Sequence, residues 1–334
     1  DTGRATRGAA LALKGKIELY NGMYAQAAET LKEVIDLKDE NGALRYDLYP
    51  LYRELFLPQN ENNCEVIFDI QYMKNAYSQG LTHQLYTFTY EWNSYCPTSA
   101  LAESYYTKNG YPVSWNAETQ LYESADPAFD PTYPYKDRDP RLDQSIIMPG
   151  TDNGRGAIFL PSSSNHTGMK IRKWNDYTET EKNNSEHNII LIRFADVLLM
   201  RAEALVESGT FDEAEVRGLI DRVRQRPSVM MPKVEDIEGT ELDANALRAI
   251  IRHERRVEFA FEGTRISDIR RWRIGPEVMT DAYGYKYQDV RLTPPKYIPY
   301  KVDTRSFNPN RDYLWPIPQN EINTNPFINA PDQN

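Results

Sequence analysis

The sequence predicts a mainly α-helical fold in which tetratricopeptide-like helical hairpins carry a large loop-rich insertion with short strands. Apolar and small residues recur at helical spacing in two separated stretches, and the second repeats the plan of the first. Between them lies a long polar region punctuated by Pro, Gly, Asn and Asp, residues that favour turns over helix.

The first stretch, Thr6 to Leu37, reads as two helices joined at Asn21-Gly22. Its apolar positions are Ala9, Ala12, Leu13 and Ile17, then Ala27, Ala28, Leu31, Val34 and Ile35. The second runs from Phe194 to Arg224. Aligning Gly22 with Gly209 superposes Tyr24 on Phe211, Ala27 on Ala214 and Gly15 on Ala202, so small residues recur where helices must approach closely. Such hairpins cannot bury their apolar faces alone and need stacked neighbours. One domain is expected over 1–334: a hairpin at 1–40, a ligand-binding insertion at 41–190, a helical scaffold at 191–292 and an extended tail at 293–334. Within the insertion, Glu65 to Gln71 has strand character. Ser99 to Lys108 is expected to be a helix capped by Ser99 or Thr98 and stopped by Asn109-Gly110.

Composition narrows the function. With 40% hydrophobic and 26% charged residues the chain has the make-up of a globular protein. A net charge of −10 argues against nucleic acid as a partner, because phosphate binding needs a basic surface. Cys64 and Cys96 match no metal or redox spacing and read as separate thiols. Asp126, Asp130, Asp137, Asp139 and Asp143 lack the pattern of a calcium loop and read as solvated turn residues. His253-Glu254-Arg255-Arg256-Val257 lacks the second histidine of a zinc helix, and Gly154-Arg155-Gly156 is neither a P-loop nor a dinucleotide fingerprint. No metal and no cofactor are expected.

The best enzyme candidate is a helix from Asn245 to Phe261, whose apolar stripe of Leu247, Ile250, Ile251, Val257 and Phe261 contains Glu254 and Glu258. At i and i+4 their Cβ atoms lie about 5–6 Å apart, near the carboxyl separation of about 5–5.5 Å in retaining glycosidases. A glycosidase pair must flank its bond, however, and these two carboxylates leave one helical face in one direction. Unpaired buried carboxylates are costly, so the pattern points to an ion-pair network with Arg193, Arg201, Arg255, Arg265 and Arg271 as partners. The helix Ile192 to Ser208, apolar almost all round, adds Asp196, Arg201 and Glu203 to that network. No catalytic residue is assigned.

The 23 tyrosines are the compositional oddity. Between Tyr72 and Tyr111, rings interleave with amides and hydroxyls, and Tyr77, Tyr86, Tyr90, Trp92, Asn93 and Tyr95 are the candidate ligand contacts. Sugars offer flat C–H faces to rings and hydroxyl edges to amides, and Trp92-Asn93 with Tyr90 and Tyr95 supplies both. The competing reading is that these rings pack the loop onto the helices, as Tyr105 and Tyr106 are expected to do. A second candidate patch, suited to a binding rim, is Trp174-Asn175-Asp176-Tyr177, with Trp174 and Tyr177 as its rings.

Taken in order, several segments resemble the SusD/RagB family of outer-membrane nutrient-binding proteins. They are Gly3 to Leu11 (GRATRGAAL), Arg138-Asp139-Pro140-Arg141-Leu142, and Arg193 to Ala204 (RFADVLLMRAEA). Then come Glu254 to Phe259 (ERRVEF) with Glu262-Gly263-Thr264-Arg265, Asp268 and Arg271-Trp272, and finally Trp315 to Ile322 (WPIPQNEI) with Asn325-Pro326. The resemblance implies a non-catalytic, lipid-anchored protein on the outer face of the outer membrane. Such a protein captures glycans, or in some members peptides, and lids a SusC-like TonB-dependent transporter. It also implies that a lipoprotein signal, an anchoring cysteine and further tetratricopeptide-like helices belong N-terminal to this stretch. A helical scaffold serving protein contacts alone is the remaining alternative.

Overall fold

A computed structural model describes residues 4–80, 95–179, 181, 183–325 and 327. Helices α1 (Arg7–Tyr20) and α2 (Tyr24–Ile35) form the first hairpin. The Thr6 hydroxyl accepts from the Ala9 amide at 3.1 Å and caps α1, while Gly22, at φ 74°, makes the turn that a side chain would strain. A Cβ on Gly15 would lie 2.7 Å from Leu31 Cδ2, which is why α1 carries no side chain where α2 crosses it.

The insertion follows, with β1 (Val66–Ile70), α3 (Ser99–Glu103), β2 (Val113–Asn116), β3 (Leu121–Ser124), α4 (Arg141–Ser145), β4 (Ile146–Ile147), β5 (Lys170–Ile171) and β6 (Ile189–Arg193). The second hairpin is α5 (Phe194–Glu207) and α6 (Glu213–Arg224). After it come α7 (Val234–Ile237), α8 (Ala244–Glu258), α9 (Arg265–Arg271), α10 (Gly275–Val278), β7 (Ala282–Tyr285), α11 (Tyr287–Val290), β8 (Pro299–Asp303) and α12 (Gln319–Thr324). The architecture is mainly helical with short strands, as expected from the sequence.

The hairpins stack through α2 on α5, and α8 closes the other side of α5. Every residue of α5 from Phe194 to Val206 is buried, so its near-continuous apolar sequence reflects contact on all sides. Leu31, Val34, Leu198, Ile220 and Leu247 belong to this main core. Among the described residues the strands form two-stranded antiparallel sheets, β1–β6, β2–β3, β4–β5 and β7–β8. The first joins the two ends of the insertion, pairing Val66 with Arg193 and Ile70 with Ile189.

The insertion has a core of its own, shared with the C-terminal region and built largely from tyrosine. Tyr105, Tyr122, Tyr135, Tyr285 and Tyr297 are buried together with Leu142, Ile146 and Met169. The Tyr122 hydroxyl meets that of Tyr285 at 2.6 Å and donates to Glu103 at 2.7 Å. Burial pushes the phenols of Tyr122 and Tyr285 above their ordinary range, keeping them neutral donors. Much of the tyrosine content is therefore packing material.

Three expectations of element extent change. The helix beginning at Ser99 stops at Glu103 instead of Lys108, and Thr98 makes no side-chain cap bond. Arg138 takes over the carbonyls of Glu103 and Tyr105, at 3.0 and 2.7 Å, which a continuing helix would have used. The helix expected to reach Phe261 ends at Glu258. The tail contains β8 and α12, so it is not extended throughout.

Glu254 and Glu258 are buried, as their stripe implies, and both are held by guanidinium groups. Glu258, 0% exposed, accepts from Arg193 at 2.7 Å and from Arg141 and Arg226 at 2.9 Å. Glu254 accepts from Arg141 at 2.5 Å and Arg224 at 3.0 Å. Glu65 joins by bridging Arg193 and Arg226, and Asp139 by pairing with Arg141 at 2.7 Å. A separate cluster holds Asp196 on Arg255 at 2.8 Å and Lys16 at 3.3 Å. In it Arg255 also reaches Asp268, and Arg271 bridges Asp268 and Glu203.

Of the five arginines expected to hold the two glutamates only Arg193 does so among the described residues; Arg255 and Arg271 belong to the separate cluster, and Arg201 and Arg265 stand apart from both. Arg201 pairs with Glu215 at 2.5 Å, away from both glutamates, because it leaves α5 on the side of the hairpin stack, where it also reaches Ala28 O. Arg265 forms no ion pair among the described residues, since the nearby Asp268 is already taken by Arg255 and Arg271. Two of the aspartates expected to be solvated are also buried. Asp139 serves Arg141, and Asp126 accepts from the Ala128 amide at 2.9 Å and from Asn109. Cys64 and Cys96 form no disulfide among the described residues.

Burial alone would raise the carboxyl pKa of Glu258, but Arg193, Arg226 and Arg141 overcome it and hold the group well below the usual range. Removing one partner of such a buried pair costs about 3–5 kcal/mol. Glu258→Gln is expected to lose that much stability in urea unfolding. Glu33→Gln, at the exposed Arg7–Glu33 contact of 3.8 Å, should stay within about 0.5 kcal/mol of wild type. The pH dependence has a definite sign. A depressed folded pKa contributes stability that is complete above the unfolded value and lost as pH falls toward the folded one. The wild-type advantage over Glu258→Gln should therefore be full at pH 7 and shrink steadily below about pH 4.3, the ordinary glutamate value. An undiminished difference in urea titrations at pH 3 would contradict this.

Candidate ligand-binding site

A cleft of about 600 Å³ opens where the first hairpin, the root of the insertion and the turn after α8 meet. Lys16 and Tyr20 come from α1, Ile189 to Leu191 from β6, Ile171 from β5, and Phe261 to Thr264 from the turn. Tyr95 and Trp174 complete it. The walls are mostly apolar, with Lys16, Glu262, Thr264 and Ser267 as polar groups, a composition suited to small-molecule recognition.

Trp174 is not a rim residue. It is 7% exposed, its ring lies 4.7 Å from that of Phe56, and its indole nitrogen donates to Phe261 O at 3.1 Å. Both partners of that bond have left-handed backbone, at φ 69° for Trp174 and 64° for Phe261, a conformation bulky side chains rarely adopt. Such outliers persist where the surroundings over-determine them and concentrate at functional sites. The φ of Phe261 is also why the helix does not continue to it.

Beneath this wall sits Lys173, whose ammonium donates to Glu262 at 2.6 Å, Tyr52 at 2.7 Å and Glu258 O at 3.0 Å. Burial lowers its pKa to about 8, against the raising effect of Glu262. Glu262 also accepts two bonds of 2.7 Å from Arg193. The wall of the cleft is thus tied directly to the buried ion-pair network. Lys16, whose pKa is raised chiefly by Asp196, links α1 to the other cluster.

Of the ring candidates, Tyr95 and Trp174 come together in this cleft, and Tyr95 is 57% exposed. Tyr77, 75% exposed, lies on a turn bridged to Met73 and does not line it. Tyr177 is half-buried with the Arg53 guanidinium 5.2 Å from its ring, again away from the cleft. Tyr86, Tyr90, Trp92 and Asn93 lie outside the described residues. Sequence reasoning missed Lys16, Tyr20, Phe261 and the β6 residues. Tyr20, directly before Asn21-Gly22, was a visible signal, but helical periodicity assigns such a residue to packing.

Stacked hairpins whose inserted region is closed at its root and edged by a cleft define a tetratricopeptide-like helical architecture. The SusD family model matches residues 64–334, and the chain belongs to the SusD family. It is 26% identical over 350 residues to SusD-like protein P2 of Formosa agariphila, covering 98% of this chain and 59% of that one. SusD-like protein P38 of the same organism is 30% identical over 224 residues, covering 67% and 39%. Among solved structures, a SusD-like carbohydrate-binding protein of Bacteroides fragilis superposes with a TM-score of 0.79 at 31% identity, covering 96% of this chain and 64% of that one. A laminarin-binding SusD-like protein superposes at 0.52 with 26% identity, covering 83% and 56%. The chain thus spans about three fifths of the length of P2 and of the Bacteroides fragilis protein.

Proposed function

We propose that this protein captures glycans without cleaving them, at the outer face of the outer membrane. In this reading it is lipid-anchored there and passes its ligand to a SusC-like TonB-dependent transporter. The observation that carries the reading is the ring-edged cleft beside Tyr95. The exposed ring of Tyr95 shares the lining with aromatic and aliphatic side chains and with a few polar groups that can orient hydroxyls. Binding without chemistry agrees with the state of the acids. Glu254, Glu258 and Glu262 are each saturated by arginine or lysine, so none is available as a general acid or base. Kinship to carbohydrate-binding and laminarin-binding proteins supports the choice of ligand class.

A second reading, peptide capture, draws on the aliphatic wall of Ile171, Ile189, Ile190 and Leu191, which would suit apolar side chains. Affinity electrophoresis against neutral polysaccharides, laminarin among them, separates the two when run beside a peptide-library pull-down. At least one polysaccharide should retard the protein without release of reducing ends. Tyr95→Ala should weaken that binding by roughly tenfold, the usual order for truncating a central ring. Retention of peptides with no retardation by any polysaccharide would replace the glycan reading with the peptide one.

A further inference from the structure

The turn that walls the wide cleft has a second cleft on its other side. Phe261, Gly263 and Thr264 line both, and the second measures about 290 Å³. Arg256 of α8, Arg265 at the start of α9 and Arg305 beyond β8 all line it. Asp268 is the sole carboxylate in its lining, and it is already committed to Arg255 at 3.0 Å and Arg271 at 2.7 Å. Arg256 donates to Ala100 O at 2.7 Å and Arg305 to Thr280 O at 2.6 Å, which leaves most of their donors for something else. Among the described residues the Arg265 side chain has neither an ion pair nor a hydrogen bond, although the residue is half-buried.

This is an unusual arrangement in a chain of net charge −10. Burial lowers the pKa of Arg265 to about 10, and Arg256 lowers it further while Asp268 opposes. Burial lowers that of Arg256 too, opposed by Tyr105 and Glu103 and reinforced by Arg305. The guanidiniums repel one another across a confined space, and an anion placed between them would relieve that repulsion. Two buried arginines of this fold are satisfied from within. Arg138 has the carbonyls of Glu103, Tyr105 and Pro134, and Arg193 has three carboxylates.

We infer that this cleft is an oxyanion subsite that takes the carboxylate of a uronic acid, or the sulfate ester of a sulfated sugar, belonging to a glycan held in the adjoining wide cleft. The forked donors of a guanidinium match the paired oxygens of both groups. The shared Phe261–Thr264 turn puts the two clefts side by side, so an acidic substituent can cross it while the sugar ring stays by Tyr95. The inference rests on the glycan reading and narrows it to acidic polymers.

The test uses the whole chain, Arg265→Gln and Arg305→Gln. Affinity gels contain polygalacturonate, dextran sulfate or neutral dextran. Melting is followed in sodium chloride, sodium sulfate and sodium galacturonate at equal ionic strength. An acidic polymer should retard the wild type more than dextran does, against the protein's own net charge. Each variant should weaken that binding by roughly tenfold, as expected for a lost charge-assisted hydrogen bond. The polymer that is preferred distinguishes carboxylate from sulfate. Equal retardation of wild type and variants overturns the subsite. A neutral polymer bound equally by all three forms, with no acidic preference, overturns it while leaving glycan capture standing. Stabilisation of the wild type alone by free sulfate or galacturonate, with no polymer bound, supports the anion site and removes the glycan. If Arg265→Gln melts lower by the same margin in chloride as in the other salts, the arginine serves the fold and the inference falls.

Discussion

Arg141, Arg193 and Arg226 converge on the carboxylate of Glu258, and the rest of the structure is arranged so that they can. Arg141 opens α4 within the insertion, Arg193 ends β6 at its root, and Arg226 follows the second hairpin. Glu65, at the other end of the insertion, is shared by Arg193 and Arg226. Four segments far apart in sequence thus meet at one helical face of α8. Desolvating so many charges is expensive, and their mutual attraction repays it only when the geometry is complete. Such a network contributes less to net stability than to the choice of one arrangement over others, since a misplaced insertion would leave a buried charge unpaired.

The same constraint positions the ligand site. Glu258 and Glu262 sit on either side of the point where α8 stops, and Lys173 and Arg193 hold Glu262 as firmly as Arg193 holds Glu258. Between them the chain turns sharply, so that Phe261 enters a left-handed conformation and offers its carbonyl to Trp174. The wall between the two clefts is therefore a direct extension of the charge network. A rigid wall of this kind suits capture without chemistry, because little ordering remains to be done when a ligand arrives.

Tyrosine is divided between two roles that composition cannot separate. Tyr122, Tyr135 and Tyr285 form a buried set whose hydroxyls bond one another and Glu103, and Tyr297 beside them donates to Pro149 O, giving the loop-rich insertion a core despite its polar sequence. Tyr77 and Tyr95 are exposed. Both kinds lie between Pro, Gly and Asn, and a ring followed by a polar residue reads alike in each setting. What distinguishes Tyr95 is its neighbours, Ile171, Trp174 and Tyr20, none of which is near it in sequence.

The sequence by itself determined whatever depends on neighbours a few residues apart. The two hairpins, their turns at Gly22 and Gly209, the small residue at Gly15 and the strand around Phe68 all follow from periodicity and backbone preference. It also showed that Glu254 and Glu258 face inward, since a helix places every third or fourth residue on one side. Only the tertiary structure decided which arginines meet them, that Arg265 is left over, that Trp174 is a wall instead of a rim, and where α8 ends. Most of those outcomes rest on contacts well beyond one helical turn, from Arg226 with Glu258, 32 positions apart, to Arg141 with Glu254, 113 apart. Local spacing carries no information about such pairs until the chain has closed upon itself.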